Sequence, residues 1–196
     1  MGNREDLLAG ARKAILERGL AKVTARDIAS AAGVSLAAIG YHFGSKDRLV
    51  TEAVLEAMGT EIGDDFEEVI RVAATGRAPA ESLAPTMDGL LGILEQNRDQ
   101  LLLGMENGMV ASRSPETQVY MAEATERACS ELAVSLRESF PDLAEEDALA
   151  VAKFYFTMFQ GIAVMWLIAP GTNLITGAEL TRVFRVLGAD PTPRAG

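Results

Sequence analysis

The sequence is poor in the residues that build most chemical sites. Among its 196 residues there is one cysteine, Cys129, one histidine, His42, and one tryptophan, Trp166. A single cysteine excludes an internal disulfide framework, and a single histidine leaves no His/Cys set for a structural zinc or a haem, so neither metal nor cofactor is expected. Ser/His/Asp or Cys/His catalysis would have to draw on His42, far from the C-terminal part of the chain. Carboxylate groupings such as Glu67 with Glu68, or Glu145, Glu146 and Asp147, suit solvated faces or helix starts, where acidic side chains meet the positive dipole end. An enzyme is not expected. Long apolar runs are scarce too: the longest, Phe154 to Ala169, carries Thr157, Gln160 and Gly161, ends at Pro170, and falls short of the ~20 residues of a membrane span. A buried helix is the better reading. At the N-terminus Arg4, Glu5, Asp6, Arg12 and Lys13 interrupt any signal-peptide run, so the expected location is the cytoplasm, with no membrane partner.

Strand-like alternation is missing as well. Proline and glycine cut the chain into pieces of helical length, and the expected fold is all-α with about nine helices. The first piece, Asn3 to Arg18, sets Leu7, Leu8, Ala11, Ile15 and Leu16 at helical spacing and stops at Gly19. A second opens at Thr24, where Thr24 and Asp27 have capping-box spacing, and ends at Gly33. A third is expected from an N-cap at Ser35 to Gly44, and a long fourth from Ser45. Ala73 to Pro85, with Gly76 and Pro79, reads as a loop. Helices then follow over Thr86 to Gln96, Arg98 to Ala111, and from Pro115, capped by Ser114, to just before Pro141. The last two run from Asp142 to before Pro170 and from Ala178 to Leu187, leaving a disordered tail over 189–196.

Charge is unevenly spread. The net charge of -10 argues against a polyanionic partner if taken as one number. Residues 1–50, however, hold 8 Lys or Arg against 5 Asp or Glu, net +3, whereas residues 51–196 hold 10 against 23, net -13. Arg12, Lys13, Lys22, Arg26, Lys46 and Arg48 belong to the basic part.

Within it, two short helices separated by Gly33 have the spacing of a helix-turn-helix, whose second helix can lie in the DNA major groove. Ile28, Ala29, Ala32, Val34, Ile39 and Phe43 would fix the angle between them. Leu36, Ala37, Gly40, Tyr41 and His42 are left facing outward, with Tyr41, His42 and Lys46 as donors to phosphate and Arg26 as a further long donor. Thr24 and Ser35 would cap helices in any protein; the constellation, not one residue, points to DNA.

The string from Thr24 to Lys46, TARDIASAAGVSLAAIGYHFGSK, followed by Asp47, Arg48 and Leu49, resembles the DNA-binding domain of the TetR family of bacterial repressors, densely over about Leu7 to Val54. The resemblance implies a homodimer with a helix-turn-helix domain over 1–50 and a helical ligand-binding and dimerisation domain over 51–188. It matches Thr24, Ser35, Tyr41, His42 and Lys46 to phosphate contacts, and Leu36, Ala37 and Gly40 to the face turned toward bases. Many members have glycine where this chain has Ala37 and an aromatic where it has Gly40. Apolar contact of Leu36 and Ala37 with thymine methyl groups is therefore expected to carry part of the specificity.

The second part is rich in methionine, which adapts to apolar ligands of imprecise form, although buried stripes usually just pack. Candidate pocket residues are Phe66, Ile70, Met87, Leu91 and Leu94, together with Met105, Met109, Met121 and Phe154. Glu106, Asn107 and Gln118 are possible polar anchors. At the places where TetR-like chains dimerise, Phe156, Phe159, Ala163, Trp166 and Leu167, with Leu180, Phe184 and Leu187, are candidate interface residues. The expected partners are a palindromic double-stranded operator, a second copy of the chain and a small, mostly apolar effector that releases the repressor from DNA. The alternatives are a regulator answering to a protein partner or to no ligand, and an activator.

Overall fold

Glycines with left-handed backbone end several of the helices. The computed structural model describes residues 3–188, which form α1 (Asn3–Arg18), α2 (Ala25–Ala32), α3 (Ala37–Phe43), α4 (Lys46–Ala74), α5 (Pro79–Gln96), α6 (Arg98–Ala111), α7 (Pro115–Ser139), α8 (Glu145–Ile168) and α9 (Gly177–Leu187). No strand occurs among the described residues. The fold is all-α, with a helix-turn-helix in its N-terminal part and helices throughout the remainder. The tail expected over 189–196 lies outside the described residues.

Three boundaries differ from the sequence reading. Residues 73–85 are a loop only over 75–78: α4 runs to Ala74, and α5 starts at Pro79 and runs through Pro85. Proline is tolerated at a first helical position because its missing N–H would have been unpaired there. Glu81 Oε2 accepts the Ala78 amide at 3.1 Å, helping to close the helix start. Pro85 withholds a hydrogen bond from the carbonyl four residues earlier, that of Glu81, an exposed residue whose oxygen water can reach. The eighth helix begins at Glu145 rather than Asp142. The third begins at Ala37, with Leu36 at its cap and no side-chain capping bond; Ser35 contributes its carbonyl, which accepts the Ala38 amide at 3.0 Å.

The helices pack into two compact units, one made of residues 3–64 with Asn97–Cys129, the other of Asp65–Gln96 with residues 130–188. Packing therefore does not divide at residue 50. The first unit takes in the front of α4, all of α6 and the start of α7.

Its core is built on α1. Leu7, Leu8, Ala11, Ala14 and Ile15 are buried and cluster with Ile28 and Ala29 of α2, Ile39 and Phe43 of α3, and Leu49, Val50, Ala53 and Val54 of α4. The α1 to α2 approach is set by Gly10, where an added Cβ would lie 2.7 Å from Ala32 Cβ and 2.9 Å from the Ile28 carbonyl oxygen.

In the second unit Phe66, Ile70, Met87, Leu90, Leu94, Tyr155, Phe159 and Leu180 are buried. The Phe66 and Phe159 rings meet edge to face at 5.4 Å. The Tyr155 hydroxyl shares hydrogen bonds with Thr86 and Ser82, and its burial pushes its pKa up. Start of α9 is fixed by a capping box between Thr176 and Glu179, and Asp88 Oδ1 accepts the Gly177 amide at 2.8 Å. At 24 residues, α8 is long and apolar enough to cross a membrane by length and composition, contrary to the expectation from its apolar run. Its buried residues, Ala148, Ala152, Tyr155, Phe159, Ile162 and Ala163, form a stripe packed within the chain.

Two glycine substitutions should have opposite signs in a urea titration. Gly10→Ala forces α1 from α2 and should lower stability by about 1–3 kcal/mol. Gly59→Ala, on an exposed helical position with open space around it, should raise stability by up to ~1 kcal/mol.

Candidate nucleic-acid interface

Each turn that aims α3 has a local cause. At the start of α2 the Asp27 amide donates to Thr24 Oγ1 at 3.2 Å, while the Thr24 amide donates to Asp27 Oδ2 at 3.0 Å. These are the reciprocal bonds of a capping box. Arg18 Nε sits 3.0 Å from the other oxygen of Asp27. The Thr24 hydrogen bonds, aided by the Arg18 charge, hold the Asp27 carboxyl below its ordinary range. At the far end of α2, Gly33 takes φ 67°, and the Val34 amide bonds back to the Ala29 carbonyl at 3.1 Å. That left-handed residue reverses the chain into α3.

On α3 the apolar side goes inward: Ala38, Ile39 and Phe43 are buried. Leu36, Ala37, Gly40 and Tyr41 face out, Leu36 at 48% and Tyr41 at 86% exposure. His42 is half-buried, its ring edge-on to Tyr41 at 4.9 Å. Thr24, Arg26 and Ser35 are exposed and Lys46 is half-buried, its Nζ 3.2 Å from Asp47. Ser45 caps α4 by accepting the Arg48 amide at 3.1 Å.

The basic residues are less free than their count implies. Arg4 is bound to Glu52, Arg12 to Glu56 at 2.6 Å and Arg18 to Asp27. Arg48 lies over the Tyr120 ring. Among the described residues Lys13, Lys22 and Arg26 are exposed and make no ion pair. Arg12 and Arg48, counted with the basic part of the sequence, are thus engaged by neighbouring helices. The i, i+4 spacing of Arg48 and Glu52 hinted at this; the pairing with Tyr120 had no local signal.

Away from α3 the candidate pocket residues are shared between the two units. Phe66, Ile70, Met87, Leu91, Leu94 and Phe154 belong to the second unit, whereas Met105, Met109 and Met121 belong to the first. Met109 is 61% exposed and so does not line an enclosed site within its unit. Of the polar candidates, Glu106 is exposed, and the Gln118 amide donates to the Ser112 carbonyl on the surface. Asn107 is fully buried, its Oδ1 accepting the Thr51 hydroxyl at 3.1 Å while Nδ2 has no hydrogen-bond partner.

The interface candidates also divide. Phe159, Ala163 and Leu180 are buried inside the chain itself and pack its core instead of offering a face to a second copy. Phe156, Trp166 and Leu167 are half-buried, and Phe184, though 46% exposed, meets Phe154 at 5.6 Å. With Leu187, the exposed apolar residues of these helices are Val164, Met165 and Ile168 on α8 and Val183 and Val186 on α9. An α8 sequence apolar nearly all round carried too little periodicity to give this phase.

Residues 7–53, which hold most of α1, all of α2 and α3 and the first turns of α4, match the model of the bacterial regulatory proteins of the tetR family. This segment is similar to the DNA-binding part of the TetR family. It is 35% identical over 85 residues to the HTH-type transcriptional repressor KstR2 of Rhodococcus jostii (strain RHA1), covering 43% of this chain and 41% of that repressor. The chain spans about half the length of the curated relatives it matches. The likeness of fold extends further than the sequence match. SCO7518 of Streptomyces coelicolor A3(2), assigned as a transcriptional regulator, superposes with a TM-score of 0.61 at 24% identity over 95% of this chain and 98% of that one. The multidrug binding protein EbrR complexed with imidazole gives 0.60 at 21% identity over 94% and 88%.

Capping of α2 should be visible in stability against pH. The lowered Asp27 pKa makes its contribution fully present above the ordinary aspartate range and lost as pH falls through the lowered folded value. Asp27→Asn should therefore be less stable than the parent protein at neutral pH, and the difference should shrink on acidification. Thr24→Ala should cost about 0.5–2 kcal/mol at neutral pH. Chemical denaturation at a series of pH values measures both.

Proposed function

We propose that this chain is a DNA-binding transcriptional regulator, not an enzyme, acting as a homodimeric repressor on a palindromic operator and released by a small, mostly apolar effector. The observation that carries the reading is the division of α3: Ala38, Ile39 and Phe43 are locked into the core while Leu36, Ala37, Gly40 and Tyr41 stand free on a helix of seven residues. A helix gripped on one side and bare on the other is what major-groove reading requires. Small Ala37 and Gly40 let its backbone approach base edges, Leu36 and Ala37 suit thymine methyl groups, and Tyr41, with Thr24, Ser35, His42 and Lys46 around it, suits phosphate.

Exposed Val164, Met165 and Ile168 of α8, with Val183, Val186 and Leu187 of α9, supply the apolar surface on which two copies would pair. Two-fold pairing would set the spacing of the operator half-sites. α4 is one continuous helix whose residues enter both compact units, so a ligand that favours one position of α4 would shift the population of DNA-competent dimers. Only an effector with different affinities for the two states can do this. KstR2 is named a repressor and EbrR a multidrug binding protein, which is the support that the relatives lend.

Two measurements test the reading. Site selection with the purified protein should return a palindrome with thymine in each half-site; on that duplex Tyr41→Ala should weaken binding about ten-fold by anisotropy, the loss of a well-placed contact, with an unchanged melting temperature. Recovery of no preferred sequence would overturn the DNA-reading role. In light scattering, Ile168→Asp should convert dimer to monomer, and a monomeric parent protein would refute the dimer.

A further inference from the structure

Arg48 lies two residues beyond Lys46, in the most basic part of the chain, and would ordinarily be counted as a phosphate contact. Its surroundings say otherwise. The guanidinium carbon is 3.8 Å from the centroid of the Tyr120 ring on α7, and Arg48 Nε is buried, 3.7 Å from Glu52 Oε2 and without a hydrogen-bond partner. Arg127 approaches the same ring at 5.7 Å. Glu52, itself buried, also holds Arg4 of α1, and Arg4 in turn lies 5.3 Å over the ring of Phe43, the last residue of α3. A second contact joins the same elements: Glu116, in the first turn of α7, stands where a Cβ on Gly44, the residue that ends α3, would be 3.2 Å from its carboxylate. All of these residues lie in the first compact unit.

We propose that Arg48 is a positioning residue which, through its stack on Tyr120, fixes the start of α4 against α7 and so fixes the end of α3 that would face DNA. The proposal rests on the DNA-reading role of α3. Flat stacking is something a guanidinium does and an ammonium does not, because the guanidinium is planar and weakly hydrated. A partly buried cation over an aromatic face is worth enough to hold one helix orientation over another. Burial pushes the Tyr120 hydroxyl pKa up, which keeps the ring neutral beneath the cations. Tyr120 acts through its ring face, so phenylalanine should replace it.

The experiment measures affinity for the duplex recovered by site selection, as a function of salt, for Arg48→Gln, Arg48→Lys, Tyr120→Leu, Tyr120→Phe and the double variant Arg48→Gln/Tyr120→Leu. Arg48→Gln, Arg48→Lys and Tyr120→Leu should each weaken binding roughly ten-fold, the scale of one partly desolvated cation–π contact. Tyr120→Phe should stay close to the parent protein, and the double variant should be no weaker than either single one. The slope of log affinity against log salt should be unchanged throughout. A phosphate contact gives the opposite pattern: Arg48→Lys restores binding, Arg48→Gln reduces the slope by about one, and Tyr120→Leu has no effect. Either of the first two results, or an unaffected Tyr120→Leu, overturns the proposal. Should a leucine or glutamine variant fail to fold in a thermal melt, the Arg48→Lys and Tyr120→Phe pair decides alone. Failure of the parent protein to select any DNA would remove the DNA-reading role itself, a result distinct from all of these.

Discussion

The helix-turn-helix depends on how closely α1 and α2 approach. Gly10 lets Ala32 and the Ile28 carbonyl come within a distance that any side chain would forbid. That approach allows Leu7, Leu8, Ala11, Ala14 and Ile15 to reach past α2 to α3 and α4, so that one apolar cluster fixes three helix orientations at once. Close-packed interiors transmit such constraints because few voids exist to absorb a shift. The direction in which Tyr41 and Ala37 point is thus decided by residues that would never touch DNA.

Charge is handled in the same spirit. The N-terminal excess of +3 is a count, and the ion pairs redistribute it. Glu52 and Glu56 of α4 occupy Arg4 and Arg12, while Asp27 occupies Arg18. Among the described residues up to position 50, the positive charges left exposed without an ion pair, Lys13, Lys22 and Arg26, are few, and residues 51–196 are acidic. A protein so arranged gains little from non-specific attraction to phosphate and must rely on fit. Repulsion from the acidic part is weakened beyond the ~8–10 Å over which salt screens.

Local signals were legible in the sequence and distant ones were not. The capping box of Thr24 and Asp27, the stop at Gly19, the reversal at Gly33 and the bounds of α6 follow from residues within one turn of each feature. Proline was over-read at 79 and 85 because a helix can begin on one proline and spare the solvent-side hydrogen bond that the other removes. On α8, apolar residues on nearly every side hid which face was core, and Phe159 and Ala163 turned out to be inside. The contacts of Arg48 with Tyr120 and of Thr51 with Asn107 join residues too far apart in sequence for any periodicity to reveal. Of the candidate DNA-contact set, Leu36, Ala37, Gly40 and Tyr41 could be read as outward because their neighbours Ala38, Ile39 and Phe43 marked the inner face.

Whether α3 reads bases is tested most directly by repeating unbiased site selection with Ala37→Asn, an exposed position at the start of the helix. Asparagine can pair with adenine in the major groove. The preferred base should change toward adenine at one position, or two adjacent ones, in each half-site, symmetrically and with the rest of the consensus intact. A consensus identical to that of the parent protein would contradict base reading by this face of α3.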